Sequence, residues 1–297
     1  MAAVRRGIIA TDRLTLGFAV VMVVAVLRSA PASPSWPLHL LAFALIGPLV
    51  WLLARAPDDT PFMNFVGPVY PLLLVVMFYT ALGTLNEEVG RNHDLWAQRA
   101  DVALFGTPLS VTWHQRWPNA ALSWILHITY VSYYPIVLTA GLWHWRRTPR
   151  EAYERAAFLI ALAFFVCYAV FAFFPVTGPR YFWGAATGPA AETWPARVVN
   201  RLLESGSAYG TAFPSSHIAA SWTAVLATWR SSRRLALALG VPALGLALGT
   251  VYGQFHYAID AVAGAALAVT VLLTADRLRR LLGGRAPVSA AAPPRRP

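Results

Sequence analysis

The chain has 297 residues, 57% of them hydrophobic and only 12% charged, with a mean hydropathy of +0.52. A soluble domain carries roughly a quarter charged residues, so an ordinary soluble enzyme is excluded. The net charge of +11 comes from arginine alone, with no lysine in the chain. The arginines cluster in short connections between apolar runs and form no aromatic-interleaved basic patch, which excludes nucleic acid as a partner.

Taken in order, residues 1–13 are a short basic leader containing Arg5, Arg6 and Arg13. Apolar runs at about 14–29, 38–54 and 64–85 follow, each suited to crossing a hydrocarbon layer of ~30 Å as a helix. The first run lacks a small-residue cleavage site and is expected to be retained, not removed as a signal peptide. Residues 86–118 begin polar and turn mildly amphipathic, with Trp96, Trp113 and Trp117 suited to the headgroup level. This segment is expected to lie along the interface and partly cover a site there; a solvated loop is the competing reading.

Further runs occupy about 120–143 and 155–174, joined by a basic connection with Arg146, Arg147, Arg150 and Arg155. Cys167 sits inside the second of these and has no partner for a disulfide. Residues 175–213 hold Gly178-Pro179-Arg180-Tyr181 and no apolar run, which predicts an extramembrane loop. The last runs are about 215–229, 234–252 and 255–275, and the Ala/Pro/Arg-rich tail from Gly283 is expected to be disordered. No internal repeat is visible.

Eight spans fix the sidedness. With the N-terminus inside, seventeen arginines fall on inner segments and seven on outer ones, the bias of a chain with both termini cytoplasmic. The expected fold is all-α, a polytopic membrane helical bundle of about eight transmembrane helices. Its parts are a leader with two extra helices (1–63), a catalytic core (64–275) and a basic cytoplasmic tail (276–297).

Two stretches carry chemistry. His256 and Asp260 are four apart, so on a helix they share a face. A carboxylate on one ring nitrogen fixes the tautomer and leaves the other nitrogen free to attack. The competing reading is a pair that only joins helices. Gly264 continues that face and admits a close neighbour. Phe213-Pro214-Ser215-Ser216-His217 opens a helix, and the N–H groups of Ser215, Ser216 and His217 are expected to form an anion cup. His217 there could donate a proton to a departing oxygen. A capped helix with an interfacial histidine is the bland alternative. Arg180, on the same side, offers a planar fork for phosphate, or is simply a solvated loop arginine. Ionisable groups at membrane depth point to function. Two histidines without a third close ligand make a poor zinc site, so neither metal nor cofactor is expected.

The order Arg180, Pro214-Ser215-Ser216-His217, His256-x-x-x-Asp260 resembles the three signature motifs of the type 2 phosphatidic acid phosphatase superfamily over about two thirds of the chain. Phe213-Pro214-Ser215-x-His217, His256-Tyr257-x-Ile259-Asp260 and Asp101-x-x-Leu104-Phe105-Gly106 are most similar to the branch of inositol phosphorylceramide synthases and related inositolphosphotransferases in bacterial membranes. The resemblance implies a six-helix core, a phosphohistidine at His256 oriented by Asp260, and His217 as proton donor and then base. Arg180, Ser215 and Ser216 would hold the phosphate oxygens, and Tyr181 becomes a candidate substrate-binding residue. The phosphatases carry a lysine seven residues before the arginine and an arginine six before the last histidine; here Phe173 and Thr250 stand there. Two cations of the clamp are therefore missing, unless Arg91 or His93 replaces them.

The expected function is transfer of a phosphoryl or phospho-head-group from a lipid to an alcohol, in a bacterial plasma membrane with the site facing outward. The partners are the lipid substrate and membrane lipids. Hydrolysis of a lipid phosphate or polyprenyl (pyro)phosphate is the alternative. A transporter relaying protons, or a non-catalytic scaffold, is the rival from another class.

Overall fold

A computed structural model describes residues 5–58 and 60–284. Among these there are fourteen α-helices and no strand. The N-terminal part consists of α1 (Ala10–Ser29), α2 (Trp36–Ala44) and α3 (Ile46–Arg55), followed by the long α4 (Pro61–Val89). Two short helices, α5 (Asp94–Phe105) and α6 (Leu109–Arg116), fill the segment expected at the interface. Next come α7 (Ala120–Tyr130), α8 (Tyr133–Arg147) and α9 (Arg150–Phe173). The segment read as a loop contains α10 (Pro179–Trp183) and α11 (Trp194–Gly206), and the chain ends with α12 (Ser216–Trp229), α13 (Arg233–Tyr252) and α14 (Ala258–Leu281).

The protein is an all-α polytopic bundle. Among the described residues, six helical stretches are long and apolar enough to cross a membrane: α1, α2 with α3, α4, α9, α13 and α14. The run expected at 120–143 is a broken span, α7 and α8 meeting at 43°. Pro135 lies one turn past the break and cannot donate to the carbonyl of Val131. The sixth expected span, α12, has only 14 residues, about 21 Å at 1.5 Å per residue. It is short because its first turn is built inside the protein: Ser215 and Ser216 are buried, and the Ser215 N–H is donated to the Asp260 carbonyl at 3.0 Å. Non-helical backbone at membrane depth is tolerated where protein satisfies it.

The core surrounds α12, which packs against α8, α9, α13 and α14. Beside Ile218 and Val225, its buried residues are mostly small, among them Ala219, Ala220, Ser221, Thr223, Ala224, Ala227 and Thr228, and small residues let backbones approach. Gly264 of α14 meets it: a methyl group there would lie 2.6 Å from the Ser215 carbonyl oxygen.

Two boundaries differ from expectation. Residues 276–281 are the last turns of α14, not tail, and Arg155 holds Asp276 there at 2.6 Å. Arg6 is not a solvated leader residue but is buried, in a two-pronged pair with Asp12 and bonded to the Gly67 carbonyl at 2.8 Å. The expected disorder at 285–297 lies outside the described residues.

Candidate active site

His256, Asp260, His217 and Arg180 converge at one end of the bundle. The turn Gly253–Tyr257 joins α13 to α14 and is shaped by Thr250, whose carbonyl accepts the N–H of Phe255 at 2.9 Å and of His256 at 3.0 Å. Asp260, in the first turn of α14, accepts the Tyr257 N–H at 2.9 Å and faces His256 Nδ1 at 3.2 Å with the same oxygen. That bond places the proton on Nδ1 and leaves Nε2 as the nitrogen that carries the lone pair. Nε2 lies 3.3 Å from the Ser215 hydroxyl, which donates to it in this arrangement.

His217 sits in the first turn of α12 across from His256, with ring centroids 6.3 Å apart. The edges of Tyr130 and Tyr133 enclose it, Tyr133 in a T-shaped contact at 4.6 Å. These two tyrosines flank the break between α7 and α8, so the bend brings both rings to one histidine. His217 Nδ1 is buried with no hydrogen-bond partner among the described residues.

Arg180, on α10, is held by Asn200 of α11 at 3.2 Å. Its guanidinium lies 5.9 Å from the Phe255 ring centroid. Burial lowers its pKa from the ordinary arginine value, with the Glu204 carboxylate opposing. A parallel bridge between Val176 and Thr211, with the Ala212 N–H on the Val176 carbonyl at 2.8 Å, brings the arginine loop alongside the segment leading into α12.

The four elements enclose a cavity of about 50 Å³ lined by His217, His256 and Arg180, by the phenols of Tyr79, Tyr130 and Tyr181, and by Thr177, Thr211 and Ser207. Arg180 is the one guanidinium among the lining residues, which otherwise mix hydroxyl-bearing side chains with Leu203, Ala208, Ala212 and Phe255. Tyr181 lines this cavity, its hydroxyl 3.2 Å from that of Ser207. Leu203 and Ser207, from α11 and the residue after it, help to close the cavity.

Several expected residues lie elsewhere. The Ser215 amide is taken by Asp260, so Ser215 brings a hydroxyl and not an N–H to the cup. The first amides of α12, Ser216 and His217, have no side-chain cap. The Ser216 side chain is buried outside the cavity lining. His93 stacks on Phe174 at 3.9 Å and bonds the Pro175 carbonyl, while Arg91 is exposed; neither lines the cavity. No residue of 86–118 does so. The buried face of α5 is Asp94, Ala97 and Asp101, and it grips the backs of the motif loops instead.

Asp94 stands in none of the sequence motifs; Asp101 heads the Asp101-x-x-Leu104-Phe105-Gly106 stretch, but its role is seen only in the fold. Asp94 accepts from the N–H groups of Thr177 (2.9 Å) and Gly178 (3.0 Å) and from the Tyr257 hydroxyl (2.9 Å). Asp101 accepts from Ala258 (3.0 Å) and Ile259 (2.8 Å). Burial pushes the Asp101 carboxyl up to about 6, against the pull of these two N–H bonds.

The family model of the PAP2 superfamily matches residues 94–274, a span that starts at Asp94 and contains every cavity-lining histidine and Arg180. The chain belongs to the PAP2 superfamily. It is also similar to a PA-phosphatase related-family protein of Dictyostelium discoideum, 23% identical over 241 residues. That match covers 67% of this chain and 42% of the relative, so the chain spans less than half the length of that protein. No solved structure matches. The PAP2 match leaves out α1 to α4, although α4 contributes Tyr79 to the cavity wall.

Proposed function

We infer that the chain is a membrane lipid phosphotransferase working through a phosphohistidine, moving a phosphoryl or phospho-head-group, phosphoinositol among them, to an alcohol. His256 Nε2 attacks phosphorus, and Asp260 stabilises the charge that develops on the ring. The P–O bond to the leaving group breaks, and His217 gives that oxygen a proton. The acceptor hydroxyl then returns a proton to His217 as its oxygen displaces Nε2. Arg180 and the uncapped Ser216 and His217 amides would hold the equatorial oxygens.

The observation that carries transfer over phosphomonoester cleavage is the wall of the cavity. Phe173 is partly exposed at the end of α9, and Thr250 is buried with its hydroxyl on the Ala247 carbonyl. Neither Arg91 nor His93 restores the charge. One guanidinium among hydroxyls suits a phosphodiester with one negative charge better than a dianion. Membership of the PAP2 superfamily supports phosphatase-type chemistry on lipid phosphates, and one feature favours water as acceptor. The cavity is narrow, about 50 Å³, room for a few waters at roughly 10–15 Å³ each.

Purified protein in mixed micelles with phosphatidic acid or phosphatidylinositol decides between them, with free phosphate and exchange of labelled inositol or a lipid alcohol both followed. Exchange without phosphate release, absent in His256→Ala, supports transfer. Phosphate release alone makes this a hydrolase. If neither occurs with these or other lipid donors, the chain is a scaffold.

A further inference from the structure

The helix α5 contributes nothing to the cavity wall, yet nearly every bond from its buried face ends within three residues of Arg180 or His256. Asp94 and Asp101 are seven apart, two helical turns, and therefore stack on one face. Both are buried. Asp94 joins two segments distant in sequence: Thr177 and Gly178, which lead into Arg180, and Tyr257, the neighbour of His256. Gln98, on the same face, donates to that Tyr257 hydroxyl at 3.2 Å, so the phenol is held from both sides. Asp101 takes the first two amides of α14, between His256 and Asp260. Its carboxylate thus occupies the place where an anion would otherwise dock on α14. The corresponding amides of α12 carry no side-chain cap.

We propose that Asp94 and Asp101 are paired positioning residues that hold the Arg180 loop and the His256 turn in register from outside the cavity and keep the α14 amides closed to substrate, so that phosphate docks on α12. The catalytic part of this rests on the roles given above to Arg180 and His256. A carboxylate is required because each oxygen accepts from an N–H. In an asparagine one of them becomes an NH₂ facing another donor, which leaves a buried amide unpaired.

Full-length protein in detergent tests this with Asp94→Asn, Asp101→Asn and Tyr257→Phe. The last removes only the hydroxyl that links the two segments. Glu88→Gln is the control, a carboxylate whose hydrogen bonds go to Ser33 and Ser35 and not to the motif loops. Amide hydrogen exchange reads the geometry without any substrate. Asp94→Asn is expected to raise exchange in 175–181 and 255–260 together, and Tyr257→Phe to do so more weakly. A change confined to one segment overturns the coupling, whether or not the wild type transfers phosphate.

Orthovanadate binding and kcat with the donor the wild type uses then read the consequence. A displacement near 1 Å can cost a hundredfold in rate, so a kcat loss of about tenfold or more, with weaker vanadate binding and a KM changed far less, is expected for both aspartate variants. If they lose no more kcat or vanadate affinity than Glu88→Gln at a matched thermal midpoint, the carboxylates only stabilise the fold and the proposal fails. A wild type that binds no vanadate and transfers nothing overturns the catalytic reading, and the exchange result still decides the register.

Discussion

Asp260 uses one carboxylate oxygen for two partners, His256 Nδ1 and the Tyr257 N–H. The same atom therefore fixes both the imidazole tautomer and the turn that carries it. Asp260→Asn is expected to present an amide to Nδ1, favour the wrong tautomer and lower turnover by about 10³–10⁴, the cost seen when a buried triad aspartate is made asparagine. Vanadate binding should survive, because Arg180 and the α12 amides are untouched; single-turnover formation of the phosphoenzyme is the measurement. At Arg180 the planar fork is shared between the cavity and Asn200. A lysine has the charge but not the fork, so Arg180→Lys should lower kcat/KM by about 10²–10³, comparable to losing an oxyanion donor. These side chains were legible in the sequence because their relations are local: four residues apart on one helix, or the first turn after a proline. Asp101 stood out only as part of the Asp101-x-x-Leu104-Phe105-Gly106 stretch and Asp94 not at all, because the N–H groups they accept from belong to backbone more than 80 residues away, and an amide has no residue type to read.

Helix α12 is held against α14 through a glycine and a carbonyl, which ties the geometry of the cup to that of the nucleophile. Gly264→Ala sets a methyl group 2.6 Å from the Ser215 carbonyl oxygen. Overpacking of this kind costs about 1–3 kcal/mol, and here the strain falls on the segment that also carries the Ser215 hydroxyl and His217. The expected outcome is a lower thermal midpoint together with a kcat loss beyond that of an equally destabilised variant remote from the site. Gly264 was readable from its place on the His256–Asp260 face. The cover of the cavity was not. Val198, Val199, Leu202 and Leu203 have the spacing of an amphipathic helix, and Thr193 followed by Pro195 marks its start. That segment is too short and too polar to register as an apolar run, so α11 passed for loop while the Trp-bearing stretch 86–118 drew attention as the cover. Narrowing the mouth tests the assignment: Leu203→Trp should depress transfer to a bulky alcohol while leaving orthovanadate binding within a few-fold.

At the scale of the whole molecule, the two ends of the bundle do different work. The site end is rich in hydroxyls and amides, whereas the far end holds Arg6 with Asp12, Arg150 with Asp58 and Glu154, and Arg155 with Asp276. Asp12→Asn would leave Arg6 buried without its counter-charge, a change that costs about 3–5 kcal/mol. A lower unfolding temperature with unaltered specific activity of the folded fraction would show that the far end carries stability and not chemistry. From the arginine bias we propose that the site end faces outward and the far end the cytoplasm. Cys167 is fully buried, so an introduced cysteine reports alone. Trp194, exposed on α11, lies at the site end, and Ser231, exposed between α12 and α13, lies at the other. In intact cells a membrane-impermeant maleimide should label Trp194→Cys at once and Ser231→Cys only after permeabilisation. The reverse pattern would put His256 on the cytoplasmic side. The donor would then be an inner-leaflet lipid, and the surplus of arginines at the far end would have to be explained by something other than topology.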